Sequence, residues 1–167
     1  MMKKSLNKIY VIVPSAGIGT RFESEVPKQY AEINGVSILE KTINHFLNLE
    51  IFEKIIIPIS TEDNFFEKLS VSKHKKIIKV NGGSTRSESV MSALEYIKEN
   101  SLVVVHDAVR PYIHQKEIKF LVESFNPGEE DILAFGIPVY EALKKINQEN
   151  LFVKKSVDRN KFYLAQT

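Results

Sequence analysis

Residues 9–22 read IYVIVPSAGIGTRF, an apolar run over Ile9–Val13 that breaks into a loop holding Pro14, Gly17 and Gly19. A short run that is apolar at consecutive rather than alternate positions marks a strand buried on both faces, as in a parallel sheet covered by helices. Ile55–Ile59, Ile77–Val80 and Leu102–Val105 repeat the pattern. Helical segments are expected between them. Ser37 with Glu40 predicts a capping box before a helix over Ile38–Leu49, and Thr85 with Glu88 predicts another before Ser89–Lys98. Thr61 is expected to cap a shorter helix over Glu62–Leu69. A further helix over Gln115–Ser124 should stop before the turn signal Asn126-Pro127-Gly128. Strand alternating with helix implies right-handed crossovers and an open α/β sheet.

After a last apolar run, Ile132–Ile137, the pattern changes. Residues 138–158 mix apolar and charged side chains around a turn at Gln148-Glu149-Asn150. This stretch reads as a hairpin or β-arm outside the main sheet, in a protein whose residues 1–167 otherwise read as a single domain. A projecting arm needs a partner surface, and a second subunit is the expected one.

Composition removes several function classes. The 167 residues carry 23 Lys plus Arg against 21 Asp plus Glu, a net charge of +2, which leaves no electrostatic footprint for nucleic acid or an acidic membrane. Zero cysteines exclude a disulfide framework, Cys-ligated zinc and a thiol nucleophile, and suggest a cytoplasmic protein. The apolar run after the basic start covers only Ile9–Val13, too short for a signal peptide or for a spanning helix of roughly 20 residues. Neither nucleic acid nor membrane is therefore an expected partner. Arginine is scarce: four, at positions 21, 86, 110 and 159, beside nineteen lysines.

Open α/β sheets bind ligands beyond the carboxyl ends of their strands. Three loops lie there. The first is VPSAGIGTRF, with Arg21 inside it and Pro27-Lys28-Gln29 soon after. Glycines that expose backbone amides or adopt positive φ, beside two cations, suit a polyphosphate. The spacing fits neither a Walker A loop nor a dinucleotide fingerprint, since Phe22 stands where each needs Gly. The second loop is Asn81-Gly82-Gly83-Ser84-Thr85-Arg86, a glycine pair opening a helix, where free amides make an anion or base-edge site. The third is His106-Asp107-Ala108-Val109-Arg110-Pro111. Asp107 at a strand end is placed to take a hard cation such as Mg²⁺, or to pair with Arg110, whose planar fork suits an anion. His106 reads as a packed, hydrogen-bonded histidine. No GxSxG elbow is present, so Ser–His hydrolysis is not expected.

Five ordered segments, VPSAGIGTRF, PKQY, GGSTRSESV, VHDAVRP and SVDRNKFYLAQT, together resemble the 2-C-methyl-D-erythritol 4-phosphate cytidylyltransferase family of sugar- and polyol-phosphate nucleotidyltransferases. The resemblance implies a Rossmann-like fold, with an open, mostly parallel sheet flanked by helices and a projecting β-arm. It implies a homodimer joined by the arm, CTP as nucleotidyl donor and Mg²⁺ as cofactor. It assigns CTP binding to Pro14, Ser15, Ala16, Gly17, Gly19, Gly82, Gly83 and Ser89. Arg21, Lys28 and Arg159 are implied as catalytic. Asp107, Ala108, Arg110, Arg159 and Thr167 are implied at the acceptor phosphate, with Asp107 also on the metal. Arg159 is implied to reach the site of the other subunit.

Two departures stand out. Ala142 occupies an arm position where the family often has Thr, and the sequence ends at Gln166-Thr167 inside a motif that the family continues. The domain is therefore expected to be incomplete at its C-terminal end relative to the family. A ribitol-5-phosphate cytidylyltransferase, or a nucleotide-binding and dimerising module without turnover, are the alternative readings.

Overall fold

A computed structural model describes residues 8–17, 26–97, 100–129 and 131–166. In sequence order the first half has β1 (Lys8–Ile12), the short ribbon β2 (Glu32–Ile33) and β3 (Val36–Ser37), α1 (Ile38–Leu47), β4 (Lys54–Ile59) and β5 (Ile77–Asn81). Then come α2 (Arg86–Leu94), β6 (Ser101–Val105), α3 (Gln115–Ser124), and the strands β7 (Gly136–Pro138), β8 (Leu143–Ile146), β9 (Val153–Val157) and β10 (Tyr163–Ala165). The protein forms two compact units, residues 1–129 and 130–167.

In the first unit, β5-β4-β1-β6 make one sheet whose pairings are all parallel, with Ile12 opposite both Ile56 and Val105. The consecutive apolar residues of β1 are explained by the pleat, which sends alternate side chains to opposite faces. Val11 and Val13 pack with Leu39, Ile43 and Phe46 of α1 and with Ile118 of α3. Tyr10 and Ile12 pack on the other face with Ile56, Val80 and Ala93 of α2. Helices on both faces of a parallel sheet make this an α/β fold. Each fully buried Ile, Val or Phe here contributes roughly 1.5–3 kcal/mol of burial. The strand order also defines the ligand crevice: the polypeptide winds outward from β1 to β5, then crosses back to place β6 on the other side of β1, and such a switch point opens a cleft at the carboxyl ends.

Several local expectations need correction. The helix expected over Glu62–Leu69 is instead two 3₁₀ turns, Phe66–Lys68 and Ser70–Lys73. Asp63, rather than Thr61, holds the approach to the first, accepting the amides of Phe65 and Phe66 at 3.0 and 2.8 Å. At α1 only half a capping box forms: Ser37 accepts the Glu40 amide at 3.1 Å, while the Glu40 carboxylate accepts the Ser70 hydroxyl. The helix expected to reach Lys98 ends at Leu94, where Tyr96 and Ile97 tighten into i→i−3 bonds. The hairpin Glu32–Ser37 was not among the expected elements, although Asn34 (φ 56°) and Gly35 (φ 75°) form the two-residue turn that Asn-Gly favours.

In the second unit β8 and β9 form an antiparallel hairpin turning through residues 148–150, and β7 pairs antiparallel with β10. Of the run expected over Ile132–Ile137, only its end joins a strand, because its neighbour is the short, exposed Tyr163–Ala165. None of residues 131–166 is buried, and Leu151, Phe152, Val153 and Tyr163 are each more than 60% exposed (70%, 73%, 61% and 63%).

Candidate active site

The loop after β1 holds the strand direction for three residues before it turns. The Val13 amide donates to Ile56 O and the Ser15 amide to Pro58 O, extending the β1–β4 ladder past the strand. The Ser15 hydroxyl turns inward and donates to Val13 O at 2.9 Å, so Ser15 supports the loop from beneath. Pro14, Ala16 and Gly17 line a cleft together with Gly83, Ser84, Thr85, Arg86 and Ser89. Of the residues assigned to CTP, these loops bring Pro14, Ala16, Gly17, Gly83 and Ser89 to one place. Gly82 lies directly behind, where a Cβ would meet the Ala16 Cβ at 2.4 Å. Gly19, Arg21 and Thr167 lie outside the described residues.

The glycine pair serves close packing, not positive φ. Among the described glycines, only Gly35 and Gly128 have positive φ. A Cβ on Gly83 would meet the Glu88 Cβ at 2.2 Å. The amides of residues 82–85, expected to be free for a ligand, are all engaged. Gly82 donates to Ile59 O, Gly83 to Ser89 Oγ, and Ser84 and Thr85 to Glu88 Oε2. Ser84 Oγ donates to the same Glu88 oxygen at 2.7 Å. These bonds, led by the Ser84 hydroxyl, hold the Glu88 carboxyl below the usual glutamate range. A complete capping box with Thr85 closes the arrangement.

The loop after β6 is organised by Asp107. Its Oδ1 accepts from Arg86 Nε at 3.1 Å and Nη2 at 3.0 Å, and its Oδ2 pairs with Arg110 Nε at 3.2 Å. Arg86 therefore ties the cleft wall to the third loop. Ala108 is buried, and its carbonyl accepts the Thr42 hydroxyl of α1 at 2.9 Å. His106 is 2% exposed and edge-on to Phe46, with its Nε2 2.9 Å from the Arg110 carbonyl. A carbonyl only accepts, so Nε2 carries the proton and His106 braces the turn. Its placement matches the packed reading.

Lys28–Tyr30 forms a 3₁₀ turn, with Pro27 before it, that presents Lys28 to solvent and buries Gln29 and Tyr30. Burial, and then the 2.6 Å hydrogen bond that Tyr30 donates to Asp63, push the Tyr30 phenol well above its ordinary range. Asp63 thus anchors the turn that carries Lys28, a function no sequence spacing signals, because the two are joined only by the fold. In the second unit the Arg159 guanidinium donates to the Tyr140 carbonyl. Ala142 is exposed.

Known proteins resemble this chain in sequence and fold. The profile of the 2-C-methyl-D-erythritol 4-phosphate cytidylyltransferase family (IspD) fits residues 9–167. The enzyme so named from Wigglesworthia glossinidia brevipalpis is 40% identical over 164 residues, which cover 96% of this chain and 69% of that protein. Its counterpart from Shewanella pealeana is 37% identical over 166 residues, 99% of this chain and 71% of that one. The crystal structure of the Francisella tularensis cytidylyltransferase superposes with a TM-score of 0.78 at 35% identity, covering 96% of this chain and 70% of that one. The chain belongs to the 2-C-methyl-D-erythritol 4-phosphate cytidylyltransferase family.

Proposed function

We propose that the cleft between the loops after β1 and β5, with Asp107 and Arg110 beside it, is where this protein performs cytidylyl transfer. The protein is an enzyme of the cytidylyltransferase class, with CTP and 2-C-methyl-D-erythritol 4-phosphate as substrates. One observation carries the site assignment: three glycine- or arginine-bearing loops leave the carboxyl ends of β1, β5 and β6 and meet at the switch point of the sheet. The names of the family and of the relatives favour the methylerythritol acceptor over ribitol phosphate.

The reaction needs no protein nucleophile. A phosphate oxygen of the acceptor attacks the α-phosphorus of CTP in line, the bond to the β-phosphate breaks, and pyrophosphate leaves with the bonding pair. Charge is redistributed over the phosphoryl oxygens, so positioned cations supply most of the catalysis. Lys28 is exposed and, among the described residues, has no ion-pair partner, which leaves its ammonium available to that charge. Arg21 joins it on the family resemblance, and Pro14–Gly17, Gly19, Gly82, Gly83 and Ser89 form the CTP set. Arg110, Ala108, Thr167 and Arg159, the last from a second subunit's arm, hold the acceptor phosphate.

A divalent cation fits the residues present in one way only. Among the described residues no cluster of three metal-ligating side chains occurs, whereas Mg²⁺ commonly uses one or two carboxylates and completes its shell with substrate phosphates and water. Asp107 is the carboxylate at hand for that role, which would require Arg86 or Arg110 to release one of its oxygens, and bound Mg²⁺ would supply charge neutralisation at the phosphates. The exposed apolar side chains of residues 131–166 support a homodimer through the arm, and the absence of cysteine supports a cytoplasmic setting.

The test is direct. The protein incubated with CTP, Mg²⁺ and either acceptor phosphate should release pyrophosphate with methylerythritol phosphate and not with ribitol phosphate. Lys28→Ala should lower the rate about 10²–10³-fold while leaving the melting temperature unchanged. Turnover with ribitol phosphate alone, or an undiminished Lys28→Ala rate, would overturn this reading.

A further inference from the structure

We infer that Gln29 is a positioning residue for nucleotide binding, a crossbar that fixes the peptide planes of the loop after β1. The inference rests on the reading of that loop as the CTP site. Gln29 is 6% exposed, and its side-chain nitrogen donates to Ser15 O at 2.8 Å and to Gly17 O at 3.1 Å. Both protons of the carboxamide are thereby committed to two carbonyls of one loop. In a planar trans peptide the carbonyl of one residue and the amide of the next point in opposite directions. Gripping Ser15 O from one side therefore turns the Ala16 amide to the other. Ala16 lines the cleft, and among the described residues its amide has no hydrogen-bond partner.

The crossbar is rigid because its own base is fixed. Gln29 sits in the turn closed by the Tyr30 amide on Pro27 O at 2.8 Å and pinned by Tyr30 to Asp63. Its neighbour Lys28 is exposed, so one turn supplies a cation on its outer side and a loop clamp on its inner side. Without the carboxamide, the buried Ser15 carbonyl and the more open Gly17 carbonyl would lose their donors, and the loop would relieve the cost at Ser15 by rotating that peptide. Rotation of the Ser15–Ala16 plane withdraws the amide from the cleft. Gln29 itself touches no substrate.

Calorimetric titration of CTP into the wild-type protein, Gln29→Met and Gln29→Glu, at pH 8 and pH 6, tests the proposal. Gln29→Met keeps the length and removes the donors; CTP affinity should fall about 10-fold or more relative to wild type at both pH values. Gln29→Glu should lose as much at pH 8, where a carboxylate faces two carbonyls. It should recover part of the loss at pH 6, because burial raises a carboxyl pKa and the protonated acid has one O–H to donate. A loss of fold alone would not reverse with mild acid. Wild-type CTP affinity in Gln29→Met overturns the crossbar, and so does a Gln29→Glu deficit that is the same at both pH values. If the wild-type protein itself fails to bind CTP, the site reading beneath the proposal fails, and the crossbar with it.

Discussion

Gly82 has no space for a methyl group: the added carbon would lie 2.4 Å from the Ala16 Cβ and 3.0 Å from Ser89 Oγ. Gly82→Ala should destabilise the protein by about 1–3 kcal/mol, as overpacking does, and weaken CTP binding by pushing the two loops apart. Because the first clash is with one removable methyl, Ala16→Gly in the same molecule should restore a good part of the loss, measured by urea denaturation of the single and double variants. Independent, additive effects would show that the two residues do not press on each other. This scale was the least legible in the sequence. Gly82 and Gly83 announced a loop, and their residue type suggested exposed amides, but Gly83 packs on Glu88 and the packing of Gly82 depends on Ala16 arriving from the loop after another strand. Gln29 stood in plain view beside Lys28, yet only burial distinguishes a clamp from a solvated amide. His106 was legible, since a histidine closing a buried apolar strand has few other options.

At the scale of elements, α2 shows how much a capping motif can specify. Thr85 and Glu88 form the box that their spacing predicts, and Thr85→Ala should cost about 1 kcal/mol of stability. Glu88 adds a pH dependence. Its folded pKa is depressed, so its contribution is present above the unfolded glutamate pKa, about 4.3, and is lost as pH falls through the folded value. The stability difference between wild type and Glu88→Gln should therefore be largest near neutrality and shrink on acidification below about pH 4.3. A difference that is constant across that range would exclude the linkage. The four sheet strands and three helices were legible because buried runs and caps are local signals. The 3₁₀ turns after β4 were not, since Asp63 draws its orientation from Tyr30, more than thirty residues earlier. The Asn34-Gly35 ribbon was legible and simply outweighed by the longer apolar runs around it.

At the scale of the molecule, residues 131–166 have apolar side chains and no interior of their own. A segment this short rarely supports itself without cover. On the dimer reading, replacing Leu151 and Phe152 by Ser should weaken self-association at least 10-fold in sedimentation equilibrium, with the melting of the first unit nearly unchanged. A protein that sediments as a monomer before any substitution would end that reading. The α/β architecture followed from the alternation of runs, while the arm's exposed faces follow no periodicity that one sequence reveals. The two walls of the cleft, alike in glycine content, differ in what their amides are doing. Glu88 already occupies the amides of Ser84 and Thr85 in the second loop, where Arg86 supplies the cation, whereas the first loop keeps the Ala16 amide open. An asymmetric guest meets that asymmetry at once. On the reading of this cleft as the CTP site, a phosphate finds the amides of Ser84 and Thr85 already spoken for and is left the Ala16 amide, so a helix cap whose local task is only to start α2 also narrows where the ligand's charge can settle.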